Sequence, residues 1–445
     1  MFLKRDNWLT VIIALVVLNP AVLLSGSAKE DEPGLRLTFM ERLRQESWDN
    51  AISLDRQNPD SSSFIRLKSS LGLYWRPGPG LLLSFKTTNE NRHYLQPKNR
   101  DFSLDEFFVE ELNLRWERLL NSRITLTAGR QNLMFDEGFV VFDGGPLDGS
   151  RSAYFNALRL DYAAGENSSL TTFYCHQPEE EKFLPLLNRR QPGQKMVEQP
   201  ETGYGLYYRG FLKTVSFQAY ALRKNVRPWN SLTERSGINL FGGRFRAPLN
   251  KKLSLTAEAA LQTGYLKPEQ DAPDLKRAAA GAYAYLDWKA GGSLPWPAGL
   301  TLGSFYLSGD QASTGDKYEG WDPFFARWPK WSESLIYLLI REHGGKPAFW
   351  TNMSSLYLQL YFQLSGQARL DFYFHRLGAP ALTGTGPFLS GRGRHRGNLF
   401  IGKLTYDVNR SLSGHFLWES FAPGDFYHDW ARPYAWVRFE LLLRL

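Results

Sequence analysis

Apolar and polar positions alternate with period two through about eighteen short segments, and the connections between those segments are alternately short and long. In the last stretch Ala435, Val437, Phe439, Leu441, Leu443 and Leu445 fall on one face, while Arg438, Glu440 and Arg444 fall on the other. Side chains on a strand point to opposite faces in turn, so one side of this segment suits lipid and the other suits water. The segment 353–364 repeats the pattern, with Leu356, Leu358, Leu360, Phe362 and Leu364 outward and Tyr357, Gln359, Tyr361 and Gln363 inward. A soluble sandwich also alternates, but it turns its apolar face to a dry core. Chain-long repetition with one end of every hairpin kept tight predicts an all-β fold instead, a closed antiparallel transmembrane β-barrel of about 18 strands.

The pattern places strands near 34–46, 63–76, 80–93, 105–118, 122–134, 154–163, 168–176, 203–212, 214–225, 236–248, 251–264, 278–290, 298–310, 352–364, 367–376, 397–409, 411–421 and 433–445. The long connections include 135–153, 177–202 and 311–351, and all long ones fall at the same end. With the N-terminus in the periplasm, the long loops lie outside and the tight turns inside, and an even strand number returns the C-terminus to the periplasm. Lipid contact makes closure obligatory, because an open sheet edge would leave backbone groups unpaired.

Composition sharpens this reading. The 445 residues include 14 Trp, 21 Tyr and 30 Phe, while mean hydropathy is −0.38, too polar for a bundle of membrane helices. Wet lumen and loops combined with aromatic girdles produce that mixture. The long apolar run Trp8 to Leu24 follows Lys4 and Arg5 and precedes Ser25-Gly26-Ser27-Ala28, which reads as a signal peptide over 1–28 cut after Ala28, leaving a barrel over 29–445. Its removal lowers the net charge from +8 to +7. The single Cys175 excludes an internal disulfide and a thiolate metal cluster. A secretory leader argues against nucleic-acid binding.

The same phase sends Arg42, Arg44, Arg66, Lys68, Arg115, Arg159, Arg244, Arg246, Arg369 and Arg438 inward, interspersed with acids such as Asp161, Glu258, Asp371, Glu419 and Glu440. A charge facing lipid costs about 2–4 kcal/mol at the bilayer midplane, so inward placement is expected of any barrel. Arginines converging on a constriction also replace water around carboxylates through paired hydrogen bonds, and cationic rings favour anions. This predicts a pore lined by these residues that passes an anionic, carboxylate-bearing solute.

Three groups of residues carry a family likeness: Ile124-Thr125-Leu126-Thr127-Ala128-Gly129-Arg130-Gln131-Asn132-Leu133 with Arg151 and Ala157-Leu158-Arg159-Leu160; Ser308-Gly309-Asp310 with Gly320-Trp321-Asp322-Pro323-Phe324-Phe325 and Trp331; and Gly397-Asn398-Leu399 with Phe421-Ala422-Pro423-Gly424-Asp425. In this order and spacing the chain resembles the alginate export family of outer-membrane porins. The resemblance implies a monomeric eighteen-stranded barrel passing alginate or another polyuronate, with Arg130 and Arg159 lining the pore. Phe139 and Asn156-Ala157 depart from the family pattern, which leaves the substrate open. The strand phase by itself puts Arg130 on the face of Ile124 and Leu126, so a bulge near Gly129 is needed to aim it inward.

Two other constellations carry candidate chemistry. The loop 310–322 holds Asp310, Asp316 and Asp322 as gating candidates, and Asp310, Asp316 and Glu319 offer a Ca2+ possibility through their oxygen ligands without the spacing of an EF-hand. Ser413, His415 and Glu419 share an inward row, the minimal set for an outer-membrane hydrolase. Same-face residues lie about 7 Å apart, too far for direct hydrogen bonds. The expected role is therefore passive transport without a cofactor, with a general porin for small organic anions as the alternative. Expected partners are the anionic carbohydrate, outer-membrane lipid and lipopolysaccharide, and the barrel-assembly machinery through the C-terminal strand.

Overall fold

A computed structural model describes residues 33–55, 57, 60–98, 103–143, 155–180, 197, 199–230, 233–269, 271–290, 298–311, 313–326, 330–344, 350–386 and 389–445. The expected signal peptide, Arg151, the turn 291–297 and much of the loops 135–153 and 177–202 lie outside the described residues.

Eighteen strands form the wall: β1 Gly34–Asp49, β2 Ser61–Gly78, β3 Leu81–Gln96, β4 Ser103–Trp116, β5 Ile124–Gln131, β6 Phe155–Gly165, β7 Ser168–Gln177, β8 Glu201–Leu212, β9 Val215–Val226, β10 Arg235–Pro248, β11 Leu253–Lys267, β12 Leu275–Lys289, β13 Gly299–Leu307, β14 Met353–Gln363, β15 Ala368–Gly378, β16 His395–Asp407, β17 Leu412–Pro423 and β18 Tyr434–Arg444. Each pairs antiparallel with the next, and β1 closes on β18 with Arg44 opposite Glu440 and Trp48 opposite Trp436. Phe39 and Leu445 exchange both backbone hydrogen bonds at 2.9 Å, so the seam is paired to its end. Closure removes the sheet edges that lipid could not satisfy.

The sequence phase holds on both faces. Leu35, Leu37, Leu261 and Leu356 are exposed on the outside, whereas Arg44, Lys68, Gln262 and Asp371 are buried on the inside. Tight turns are built from side chains that mimic backbone: the Asn250 carbonyl accepts the N–H groups of Lys252 and Leu253, and the Asn409 carbonyl accepts those of Ser411 and Leu412. A bulge in β4 departs from simple alternation, since Lys86 faces Glu111 while Thr87 faces Val109. The extra residue, Glu110, is fully buried and lies 3.2 Å from Lys86.

The open watery bore expected from the sequence is not what fills the loop-side half. Segments Leu133–Met134, Val141–Asp143 and Phe325–Ala326 form a small three-stranded sheet that ties the two long connections 132–154 and 308–352 together. A short helix, α1 Leu335–Glu342, follows. Phe139, Trp321, Phe324, Phe325, Leu335, Leu338 and Leu339 from these connections pack with inward rings of the wall, including Phe173, Tyr207, Tyr220, Tyr283 and Phe305. The inward face of the upper strands is aromatic, and burying it against loop aromatics removes that apolar area from water. Phe139 stacks on Trp321 at 5.4 Å, and Phe305 on Trp331 at 3.9 Å.

Candidate functional site

Beneath this packed roof, toward the tight-turn end, lies a cavity of about 520 Å3. Strands β10 and β12–β17 supply its wall, and Glu137, Lys330, Trp331, Ser332 and Glu333 supply its ceiling. Period-two alternation brings Tyr285, Asp287 and Lys289 inward from β12, Tyr357, Gln359 and Tyr361 from β14, and Arg369 and Tyr373 from β15. Arg246 from β10 and Lys403 from β16 complete the cationic lining. Arg369 donates to Asp371 at 2.6 Å and lies 4.3 Å from the centre of the Tyr361 ring. Arg246 forms no ion pair among the described residues. The chamber thus offers guanidinium and ammonium donors beside flat aromatic faces.

A carboxylate latch holds the ceiling. Glu137 accepts from Arg244 at 2.5 Å, from Lys330 at 2.6 Å and from Tyr285 at 2.7 Å, joining one long connection to the other and both to the wall. Burial raises the Glu137 carboxyl, but the charge of Lys330 and the three donors outweigh it and bring the group down to about 2. Tyr207 and Arg209 hold the neighbouring Asp136. Lower in the second connection, Ser332 and Ser334 donate hydroxyl hydrogen bonds to Glu419 of β17.

Among the residues expected to line the pore, only Arg246 and Arg369 face this chamber, with Arg244 at its edge through Glu137. Most of the others point inward but are paired and buried. Arg44 lies 2.6 Å from Glu440 and 3.6 Å from Glu46, Arg66 lies 3.6 Å from Glu46, and Arg438 lies 3.1 Å from Glu333 and 3.6 Å from Glu46. Arg42 and Lys68 both approach Glu90 at 3.9 Å. Arg159 is held by Asp161 at 2.9 Å and Arg115 by Glu117 at 3.0 Å. Strand phase tells which way a side chain points, and it carries no information about the opposite charges that meet it.

Arg130 departs from the role that the resemblance implies. It stands opposite Leu112 and Asn156, in the row of Leu126 and Ala128, and the register runs through Gly129 without a shift. Its guanidinium donates to Asn156 and to the Val109 carbonyl, both at 3.0 Å, and so serves the wall.

The remaining candidates also resolve. Asp322 is buried 2.5 Å from Lys224 and accepts the Phe324 N–H, fastening the loop to β9. Burial raises its carboxyl, yet Lys224 and Arg277 pull it below the usual range. Asp310 accepts the Glu319 N–H, Glu319 accepts from Thr314, and Asp316 is exposed, so these carboxylates serve the loop separately. Among the described residues no group of three His, Cys, Asp or Glu gathers to hold a metal. Ser413 accepts from Arg444, His415 lies 3.4 Å from Glu440, and Glu419 is occupied by the ceiling serines. The three do not form a nucleophile, base and orienting chain. Glu137, Lys330 and Lys289 line the chamber and were missed by sequence reasoning; of the three, only Lys289 carries a periodic signature, alternating with Leu286 and Trp288.

No family model and no curated protein matches this chain. Solved structures do. OccK5 (OpdH) of Pseudomonas aeruginosa superposes with a TM-score of 0.58 at 13% identity, over 92% of this chain and 98% of that one. OccAB1 of Acinetobacter baumannii gives 0.57 at 10%, over 94% and 100%. The outer membrane protein OpdK of Pseudomonas aeruginosa gives 0.55 at 12%, over 92% and 98%. Likeness at such identities speaks to fold, and it narrows the alginate-export resemblance to a porin-like barrel. With its lipid-facing exterior and eighteen paired strands, the chain is a closed antiparallel barrel of the outer-membrane porin type, located in the cell outer membrane.

Proposed function

We propose that this barrel is a passive outer-membrane channel for small solutes bearing a carboxylate, short acidic saccharides included, and that the chamber below the docked loops selects them. The observation that carries this reading is the position of Arg246, which faces the chamber without an ion pair among the described residues, beside Lys289, Arg369 and Lys403. Cationic side chains lining a narrow passage favour anions, and balancing carboxylates such as Asp287 keep the solute from binding too tightly to leave. Alginate or another long polyuronate requires a continuous bore, so its passage depends on the ceiling lifting. The aromatic faces of Tyr357 and Tyr361 favour a ring-shaped carrier for the carboxylate. Direction follows the concentration gradient.

Planar-bilayer recording tests the proposal. Reversal potentials in a salt gradient should show anion preference, and a uronate monosaccharide should block current at lower concentration than its neutral counterpart. Arg246→Gln should shift the reversal potential toward zero and weaken uronate block severalfold. Equal permeability to both ion signs, with uronate and neutral sugar blocking alike, overturns the reading.

A further inference from the structure

Four cations occupy lipid-facing positions at the loop end of four adjacent strands. Arg223 stands opposite Tyr204 and Asn239, Arg235 opposite Lys267, and Lys276 opposite Tyr265. These are outward rows: Tyr204, Phe241 and Leu261, on the same faces of β8, β10 and β11, are exposed apolar positions of the belt. Inward neighbours Ser236, Ile238 and Leu266 are buried. The wall therefore presents an apolar belt crowned on β9–β12 by a basic patch.

The local build supports a site rather than scattered surface charge. The Arg223 guanidinium donates to Asn225 at 2.9 Å and to Asn239 at 2.8 Å, which flattens it on the outer wall. Gly237 makes this possible, because a Cβ there would collide with that guanidinium and with the Tyr265 ring. Strand spacing of about 4.8 Å and a two-residue repeat of about 6.7 Å give the patch a width and height of about 14 Å. Nearby acids, Glu234, Glu269, Asp271 and Asp274, sit at or beyond the strand ends in the connections. A cation on the lipid face costs about 2–4 kcal/mol at midplane but only about 0–1 near the interface, so this row is at the one depth where such a patch is tolerated. Tyr204 and Tyr265 below and beside it mark that interface.

Long loops face the exterior in such barrels, so the patch lies in the outer leaflet. We propose that Arg223, Arg235, Lys267 and Lys276 form a docking surface for the phosphorylated headgroup of an outer-leaflet glycolipid of the lipid A class, whose acyl chains run down the belt of Phe241 and Leu261. Guanidinium and ammonium groups hold phosphate oxygens through charge-assisted hydrogen bonds, and the apolar wall below takes the tails. This surface is independent of what crosses the bore.

The test uses the delipidated full-length barrel in detergent, with its unfolding temperature followed during titration with diphosphoryl lipid A, dephosphorylated lipid A or inorganic phosphate. Diphosphoryl lipid A should stabilise the protein and the dephosphorylated form should not. Combining Arg235→Gln, Lys267→Gln and Lys276→Gln should raise the half-saturating concentration about tenfold or more. Lys213→Gln with Lys251→Gln and Arg410→Gln, at the tight-turn end, should leave it unchanged. If the patch variant does not refold, Lys276→Gln alone, at an exposed position, should weaken binding severalfold. Unchanged affinity in the patch variants, equal stabilisation by dephosphorylated lipid A, or full stabilisation by inorganic phosphate each overturns the assignment.

Discussion

Removing the charge of Glu137 should loosen the ceiling of the chamber without unfolding the barrel. Glu137 is met by Arg244 at 2.5 Å, Lys330 at 2.6 Å and Tyr285 at 2.7 Å, and its side chain is 27% exposed while that of Arg244 is 7% exposed. Breaking a buried pair costs about 3–5 kcal/mol because the surviving charge is left without compensation. Partial exposure places Glu137→Gln at the low end, about 3 kcal/mol, which raises the undocked population about a hundredfold. Single-channel recording should then show more frequent transitions and a larger mean conductance, while heat-modifiable gel mobility stays that of a folded barrel. The pH dependence follows from the depressed carboxyl. Its contribution to docking is complete above the ordinary glutamate range near 4.5 and is lost as pH falls through about 2. Wild-type traces should therefore be steady from neutral pH down to about 5 and become noisy only below that range. A Glu137→Gln channel indistinguishable from wild type in conductance and noise refutes the latch.

Two further perturbations probe the packing that positions the loops. Asp322→Asn leaves Lys224 buried without its partner, and should speed protease cleavage of the external loops in proteoliposomes; Lys224→Met combined with Asp322→Leu should restore resistance, since a matched apolar pair is close to neutral. Unchanged cleavage in the single variant contradicts the fastening role. Gly303→Ala places a methyl against the Tyr357 ring lying over that glycine, which should cost about 1–3 kcal/mol and lower the temperature of the heat-modifiable shift. An unshifted transition shows that the ring moves aside freely.

The wall was legible because period two is enforced by lipid on one side and polar lumen on the other. In β14, Leu356 and Leu358 alternate with Tyr357 and Gln359 in sequence, and the structure keeps that register against both neighbours. Glu110 escaped because one inserted residue in β4 changes the count. The ceiling escaped for a different reason. Glu137 and Lys330 lie in connections that obey no repeat, and their meeting across 193 positions depends on tertiary packing alone. Aromatic residues such as Phe139 and Trp321 gave no sign that they would turn back into the lumen, because a loop aromatic reads the same whether it faces water, lipid or a partner ring. Arg130 shows the converse: strand phase and family likeness placed it on opposite faces, and in the structure it is buried within the wall, donating to Asn156 and to the Val109 carbonyl.

Inward arginines of identical sequence signature sit in opposite surroundings, and one comparison separates them. Arg44 is 1% exposed and held between Glu440 at 2.6 Å and Glu46 at 3.6 Å, so a passing carboxylate would have to displace fixed ones to reach it. Arg246 is exposed to the chamber with no such competitor among the described residues. Arg44→Met should therefore leave two buried carboxylates short of compensation, cost about 3–5 kcal/mol and lower the heat-modifiable transition, with little change in ion preference of the molecules that do fold. Arg246→Gln should do the reverse, leaving the transition in place while weakening anion preference. Selectivity lost in both variants at unaltered stability would mean that the buried network reaches the solute after all, and the division between wall arginines and chamber arginines would fall.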